Sequence, residues 1–290
     1  MQNPSRWQTA HYLVIAGGLL IFILLLFADK TDLKKPTNAT NNKSANPDGE
    51  MMPHNEKEAG LPALQIQGPD KEVIDKLNQQ VQKTPQTPQE TQTILSQLVS
   101  AYLNVNRPDY AAQFQEQLTN QQNTPQNVLQ TAQLHSQATQ LPHIQQDSIL
   151  YQKFNLKSIE FYIQYKDNNP TDTAILIQLA TRYIESHNPQ IIMNGIRQLA
   201  QITQNNPNHY EANLKLGAYS LQTNQLDKAQ KRFQAAIQAQ PTLPEPYYYL
   251  AQVFQNQQNK PEAKKHFQKA LSLTKDPTLT QAITKRLNEL

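Results

Sequence analysis

Residues 208–274 read NHYEANLKLGAYSLQTNQLDKAQKRFQAAIQAQPTLPEPYYYLAQVFQNQQNKPEAKKHFQKALSLT. Laid on itself with an offset of 34, the stretch falls into register. Leu216 then stands over Leu250, Gly217 over Ala251, Ala229 over Ala263, Phe233 over Phe267 and Ala236 over Ala270. Self-similarity at a fixed period of this length is the signature of a solenoid, in which each unit buries its apolar face against the next. The fold follows from that period before any other signal is weighed.

Composition agrees with a helical chain. The 290 residues have room for one or two domains, and their polar fraction is dominated by Gln and Asn. Only 7 glycines occur, few for a protein with many tight turns, whereas Gln, Ala, Leu and Lys favour helices. A formal charge of +3 is too small to argue for nucleic acid, and none is expected as a partner. With no cysteine, disulfides, thiol nucleophiles and thiolate zinc sites are excluded.

The N-terminal third has a different character. After a short tail, residues 1–11, the run YLVIAGGLLIFILLLFA at 12–28 carries no charge. As a helix it spans about 25 Å, the short end of what a bilayer core requires. A cleaved signal peptide is the competing reading, but its apolar region is normally shorter, and Leu26 and Ala28 before Asp29 make a poor cleavage site. The expectation is an uncleaved single-pass transmembrane anchor. Arg6 precedes it and Lys30, Lys34 and Lys35 come after it, so a charge count places the remainder in the cytoplasm. An N-terminal anchor ahead of a long soluble domain commonly exports that domain, and the expectation here is an extracytoplasmic domain on a bacterial inner membrane. Residues 29–69, including TNATNNKSANPDGEMMPHNEKEAG, lack apolar periodicity and are expected to form a disordered tether.

From residue 70 to 290 helical spacing takes over. Val73, Ile74, Leu77 and Val81 mark a short amphipathic helix. A hairpin comes next over 90–123, turning at Asn106-Arg107-Pro108-Asp109, with Ala111 in a small-residue position. Residues 126–168 form a less regular pair, predicted as helices at about 126–140 and 146–167. The unit at 172–207 is a few residues longer than 34, and the extra length is expected at its turn, His187-Asn188-Pro189. Units 210–243 and 244–276 are the regular ones, and 277–289, with Leu279, Ile283 and Leu287, reads as a capping helix.

The two regular units resemble tetratricopeptide repeats. The first supplies Leu216, Gly217, Ala229, Phe233, Ala236 and Pro241, but has Asn213 and Ser220 where bulk is usual. The second supplies Tyr247, Leu250, Ala251, Phe254, Ala263, Phe267 and Ala270. The resemblance is specific over these units, fair over 172–207 and weak over 90–167. It implies an all-α, right-handed solenoid of about five helical hairpins with a C-terminal cap. Small residues (Gly217 with Ala229, Ala251 with Ala263) let helices cross closely, and Phe233 and Phe267 fill the wedge between units.

The resemblance also implies a groove lined by the first helix of each pair, which in that family takes peptides or partner helices. Its positions fall on Ile177, Thr181 and Ile184, then Leu214, Ala218 and Leu221, then Tyr248, Gln252 and Gln255. They make an apolar strip with a polar, aromatic end, suited to a segment with apolar anchors. A second reading has another part of this chain, such as the helix at 71–83, fill the groove. Family members that grip a C-terminal carboxylate do so with Lys and Asn, which these positions lack. Residues 227–290 hold ten Lys and Arg against five acids, read as a solvated outer face, with an acidic partner or lipid headgroup as the alternative.

Chemistry is sparse. No pair among the seven His has the i, i+4 spacing of a helical metal site, and His135 and His143 are expected as surface histidines near a helix end and a turn. There is no Gly-rich phosphate loop and no nucleophile elbow. No enzyme, metal or cofactor is therefore expected. The leading function is a membrane-tethered scaffold that binds a protein or peptide partner, assisting assembly, secretion or maturation of envelope proteins. The alternative is a self-assembling structural component, a homo-oligomer built through Gly17-Gly18 of the anchor or through the Gln-rich helices.

Overall fold

Nine of the helices begin with proline in the first turn, where its missing N–H removes a donor that has no intrahelical partner anyway. In the computed structural model, residues 61, 66–82 and 87–290 are described. The expected anchor at 12–28 and most of the tether at 29–69 lie outside the described residues. All regular structure among the described residues is helical, in thirteen helices, and these residues fall within one compact unit, Glu56–Leu290. No helix among them is long and apolar enough to cross a membrane.

The chain runs through α1 (Pro69–Gln82), α2 (Pro88–Asn104), α3 (Pro108–Gln121), α4 (Pro125–Ala138), α5 (Pro142–Gln146) and α6 (Ser148–Asn168). It continues through α7 (Thr173–Ile184), α8 (Pro189–Asn205), α9 (Tyr210–Gln222) and α10 (Leu226–Ala239). The last three are α11 (Glu245–Asn256), α12 (Lys260–Leu273) and α13 (Pro277–Asn288). Side-chain caps reinforce the starts. Thr87 and Glu90 form a reciprocal capping box on α2, while Asp147, Asp172, Asn188 and Asp276 accept from the first free N–H groups of α6, α7, α8 and α13.

Helices pack as hairpins: α2 on α3, α4 on α6, α7 on α8, α9 on α10 and α11 on α12, with α13 closing the end against α12. The first helices of the last three hairpins also touch in sequence, α7 with α9 and α9 with α11. The architecture is a solenoid of stacked helical hairpins. Its apolar interior is correspondingly divided into clusters shared between neighbouring units, as a quasi-one-dimensional stack requires. Ile177, Leu199 and Leu216 join α7, α8 and α9; Phe233, Leu250 and Val253 join α10 to α11; Phe267 and Ile283 join α12 to α13.

Four hairpins turn through a single residue of positive φ: Asn106 (54°), His187 (58°), Asn224 (56°) and Gln258 (61°). In three of them the next N–H reaches back to the helix, Arg107 to Tyr102, Gln225 to Ser220 and Asn259 to Phe254, the closing bond of a Schellman motif. No glycine stands at any of these positions.

One expectation about length is corrected, and one short helix is added. The helix expected at about 146–167 is α6, but the stretch ahead of it holds a short helix, α5, that was not expected; Asp147 ends α5 and caps α6 with bonds from the Ile149 and Leu150 N–H groups. The extra length of the 172–207 unit lies in a helix rather than at its turn. Helix α8 has 17 residues where α10 and α12 have 14.

Candidate functional site

Where first helices lie side by side, the residues on their free face line one surface. The nine groove positions divide there. Ile184, Leu214, Ala218, Leu221, Tyr248, Gln252 and Gln255 are all half-buried, with part of each side chain in reach of solvent. Ile177 and Thr181, 2% and 7% exposed, are not. Ile177 packs in the cluster with Leu199, Ala212 and Leu216, and the Thr181 hydroxyl donates to the Ile177 carbonyl at 2.8 Å. They offer no surface to a partner, so the strip begins at Ile184.

Leu214, Leu221 and Tyr248 are held from behind. Leu214 and Leu221 rest against the cluster of Phe233 and Leu250. The Tyr248 ring lies 5.8 Å from Phe267 and 5.5 Å from Tyr249, tilted to both. Phe233, fully buried, stacks on Tyr249 of the next unit at 5.4 Å, and a Cβ at Gly217 would lie 2.6 Å from its ring. The small residue and the ring together set how closely α9 and α10 approach. The strip is thus a rigid apolar face with an aromatic end, suited to seating apolar anchors of an extended or helical segment.

A polar cluster sits elsewhere, between α3, α4 and α6. Glu116 accepts from Lys157 at 2.7 Å and from the His135 ring at 3.1 Å. Burial by itself would raise the Glu116 pKa, but those two donors outweigh it and bring it down to about 2. Asp109, wholly buried, is bound by Arg107 at 2.6 and 2.8 Å and by His143 at 3.1 Å. Burial opposes its charge too, yet the Arg107 and His143 contacts leave its pKa below the ordinary carboxylate value. The reading of His135 as a surface histidine is corrected: it is 3% exposed and lies against Phe154 and Phe161. His143 is half-buried. Each carboxylate is bound by one basic side chain, Lys157 or Arg107, and one histidine ring, an arrangement that clasps helices together. Among the described residues no group of three or more His, Asp or Glu could hold a metal ion.

One signal for these contacts was present in the chain. His143 lies 34 residues from Asp109, and Tyr151, whose hydroxyl donates to Glu185, is 34 residues from it. In a solenoid, residues one period apart are neighbours in space.

Residues 244–277 match the family model described as tetratricopeptide repeat. Among solved structures the chain is similar to MamA 41-end from Desulfovibrio magneticus RS-1, at 13% identity over 63% of this chain and 94% of that one, with a TM-score of 0.48. It is similar also to YrrB, titled a TPR protein with an unusual peptide-binding site, at 14% identity over 73% and 99%, with a TM-score of 0.41. No curated protein matches.

Proposed function

We propose that the chain is a non-catalytic interaction scaffold, tethered to a membrane through residues 12–28, which seats a peptide or helix of a protein partner on the strip from Ile184 to Gln255. The observation that carries this reading is the row of half-buried apolar residues Ile184, Leu214, Ala218, Leu221 and Tyr248 on adjoining first helices. Such residues lose their remaining water contact when covered, at about 25 cal/mol per Å². The tether then sets the distance at which a partner is held from the bilayer, and the proposed repeat domain is extracytoplasmic, serving assembly, secretion or maturation of envelope proteins.

Crosslinking in intact cells followed by purification of the full chain tests the scaffold. Leu214→Glu combined with Tyr248→Glu is expected to abolish recovery of partners that the unaltered chain retains. Unchanged recovery counts against the strip. Protease accessibility in intact cells and in opened vesicles tests the topology, with protection of the repeat domain in opened outer compartments as the contrary result. Light scattering on the purified chain addresses self-assembly, because a stable homo-oligomer whose formation the same two substitutions abolish favours a structural role.

A further inference from the structure

A cleft of about 600 Å³ opens between α8 and α10. One wall is apolar, from Met193, Ile196 and Ala200, and the other is cationic, from Lys228, Lys231 and Arg232. Its floor belongs to α9, through Asn213, Leu216 and Ser220. At 100° per residue these floor positions lie on roughly the opposite side of α9 from Leu214, Ala218 and Leu221, so the cleft and the proposed groove are separate surfaces.

The charge of this cleft is unanswered. No carboxylate lines it. The Arg232 guanidinium is half-buried and donates to two neutral groups, the Thr203 hydroxyl and the Asn213 side-chain carbonyl, each at 3.1 Å. Lys228 likewise donates to the Gln225 side-chain carbonyl at 2.7 Å. Among the described residues none of the three cations makes an ion pair. Desolvation accordingly lowers the Arg232 pKa with nothing opposing it. One period further along, the arrangement differs. Glu262 stands where Lys228 does, and it pairs with Lys265 at 3.2 Å and approaches His266 at 3.6 Å. The next unit supplies its own anion; this one leaves the place open.

Met193 is the other unusual feature. It is 52% exposed, a large apolar side chain on the rim directly across from the lysines. An occupant that satisfies both walls carries negative charge and an apolar side chain together. We propose that the cleft between α8 and α10 is a second docking surface, for an acidic peptide segment whose carboxylates meet Lys228, Lys231 and Arg232 and whose apolar anchor covers Met193 and Ile196. The recess favours a peptide over a bilayer, because a narrow cleft admits a chain and a flat headgroup layer reaches only its rim.

The test is fluorescence anisotropy with the full chain in detergent and a short fluorescein-labelled peptide of alternating Glu and Leu. Saturable binding is expected, weakened by added salt, and absent for the peptide with Gln in place of Glu. Lys228→Glu with Lys231→Glu, both exposed sites that leave the packing intact, is expected to weaken it by about tenfold or more. The milder pair Lys228→Gln and Lys231→Gln gives an intermediate loss and guards against a folding defect. Lys264→Glu with Lys265→Glu, on the next unit, and Leu214→Glu, in the groove, leave it unchanged. The proposal is overturned if the peptide fails to bind, if the Lys264 and Lys265 pair matters equally, or if phosphatidylglycerol vesicles bind through these lysines when the peptide does not. Loss of self-association in the Lys228 and Lys231 variant, without loss of peptide binding, also overturns it. Failure of the groove variant in cells with peptide binding retained separates the two surfaces.

Discussion

A methyl group at Gly195 would lie 2.5 Å from the Ala180 carbonyl oxygen and 3.0 Å from the Tyr183 Cβ, so α7 and α8 touch there backbone to backbone. Ala229 and Ala263 hold the equivalent place in the next two units, each fully buried. Helix propensity alone would make Gly195→Ala stabilising by about 1 kcal/mol. The contact is with backbone and cannot rotate away, and overpacking of this kind costs about 1–3 kcal/mol. Urea denaturation should therefore show Gly195→Ala less stable than the unaltered chain, and a gain would mean that α7 and α8 separate easily. Other core positions carry no signal in the sequence. Gln115 follows Ala111 by four residues, as Phe233 follows Ala229, and it is buried with no partner for its Nε2. Nothing in its residue type announces a core position, which is one reason the 90–123 unit reads as a weak repeat. Ile177 and Thr181 likewise went to the interior although their positions in α7 match Leu214 and Ala218 in α9, because α8 and α9 close over them.

At the scale of elements, turns and helix contacts carry separate predictions. Gln258 holds φ at 61° between α11 and α12, a conformation that strains any residue with a Cβ by roughly 1–2 kcal/mol. Glycine removes that strain at a smaller loss in unfolded-chain entropy, so Gln258→Gly should raise the urea midpoint by an amount worth about 0.5–1 kcal/mol. The clasp of α3, α4 and α6 through Glu116 predicts a pH dependence. A carboxylate whose pKa is depressed on folding contributes stability that is full above its unfolded value, 4.5, and is lost as pH falls toward about 2. The whole effect amounts to about 3 kcal/mol at most. Denaturation midpoints should thus fall from pH 5 to pH 2, and Glu116→Gln should lower stability at neutral pH while flattening the slope in that window. A slope unchanged in the variant would assign the acid sensitivity to other groups. The regular helices α9 to α12 were legible because Gly217, Ala251, Ala229 and Ala263 recur with the rings at Phe233 and Phe267. The short helix α5 was not, since five residues, Pro142–Gln146, are too few to show a helical period.

For the whole molecule, the array sets two surfaces against each other: a half-buried apolar strip along α7, α9 and α11, and a cationic cleft between α8 and α10. The architecture was readable from the period, because a repeat that cannot bury its face alone must stack. Residue chemistry on the surfaces was less so. Sequence treated the basic residues of 227–290 as one solvated face, whereas Arg232 is half-buried and shares its cleft with Met193. The measurement that goes most directly to the scaffold is photocrosslinking in living cells from a benzoylphenylalanine placed at Gln222, exposed beside Leu221 of the strip. The account predicts a covalent product with a second, distinct protein, and its loss when Tyr248→Glu is introduced. A product formed only within the same chain would contradict it, since the groove would then be filled by the protein's own residues.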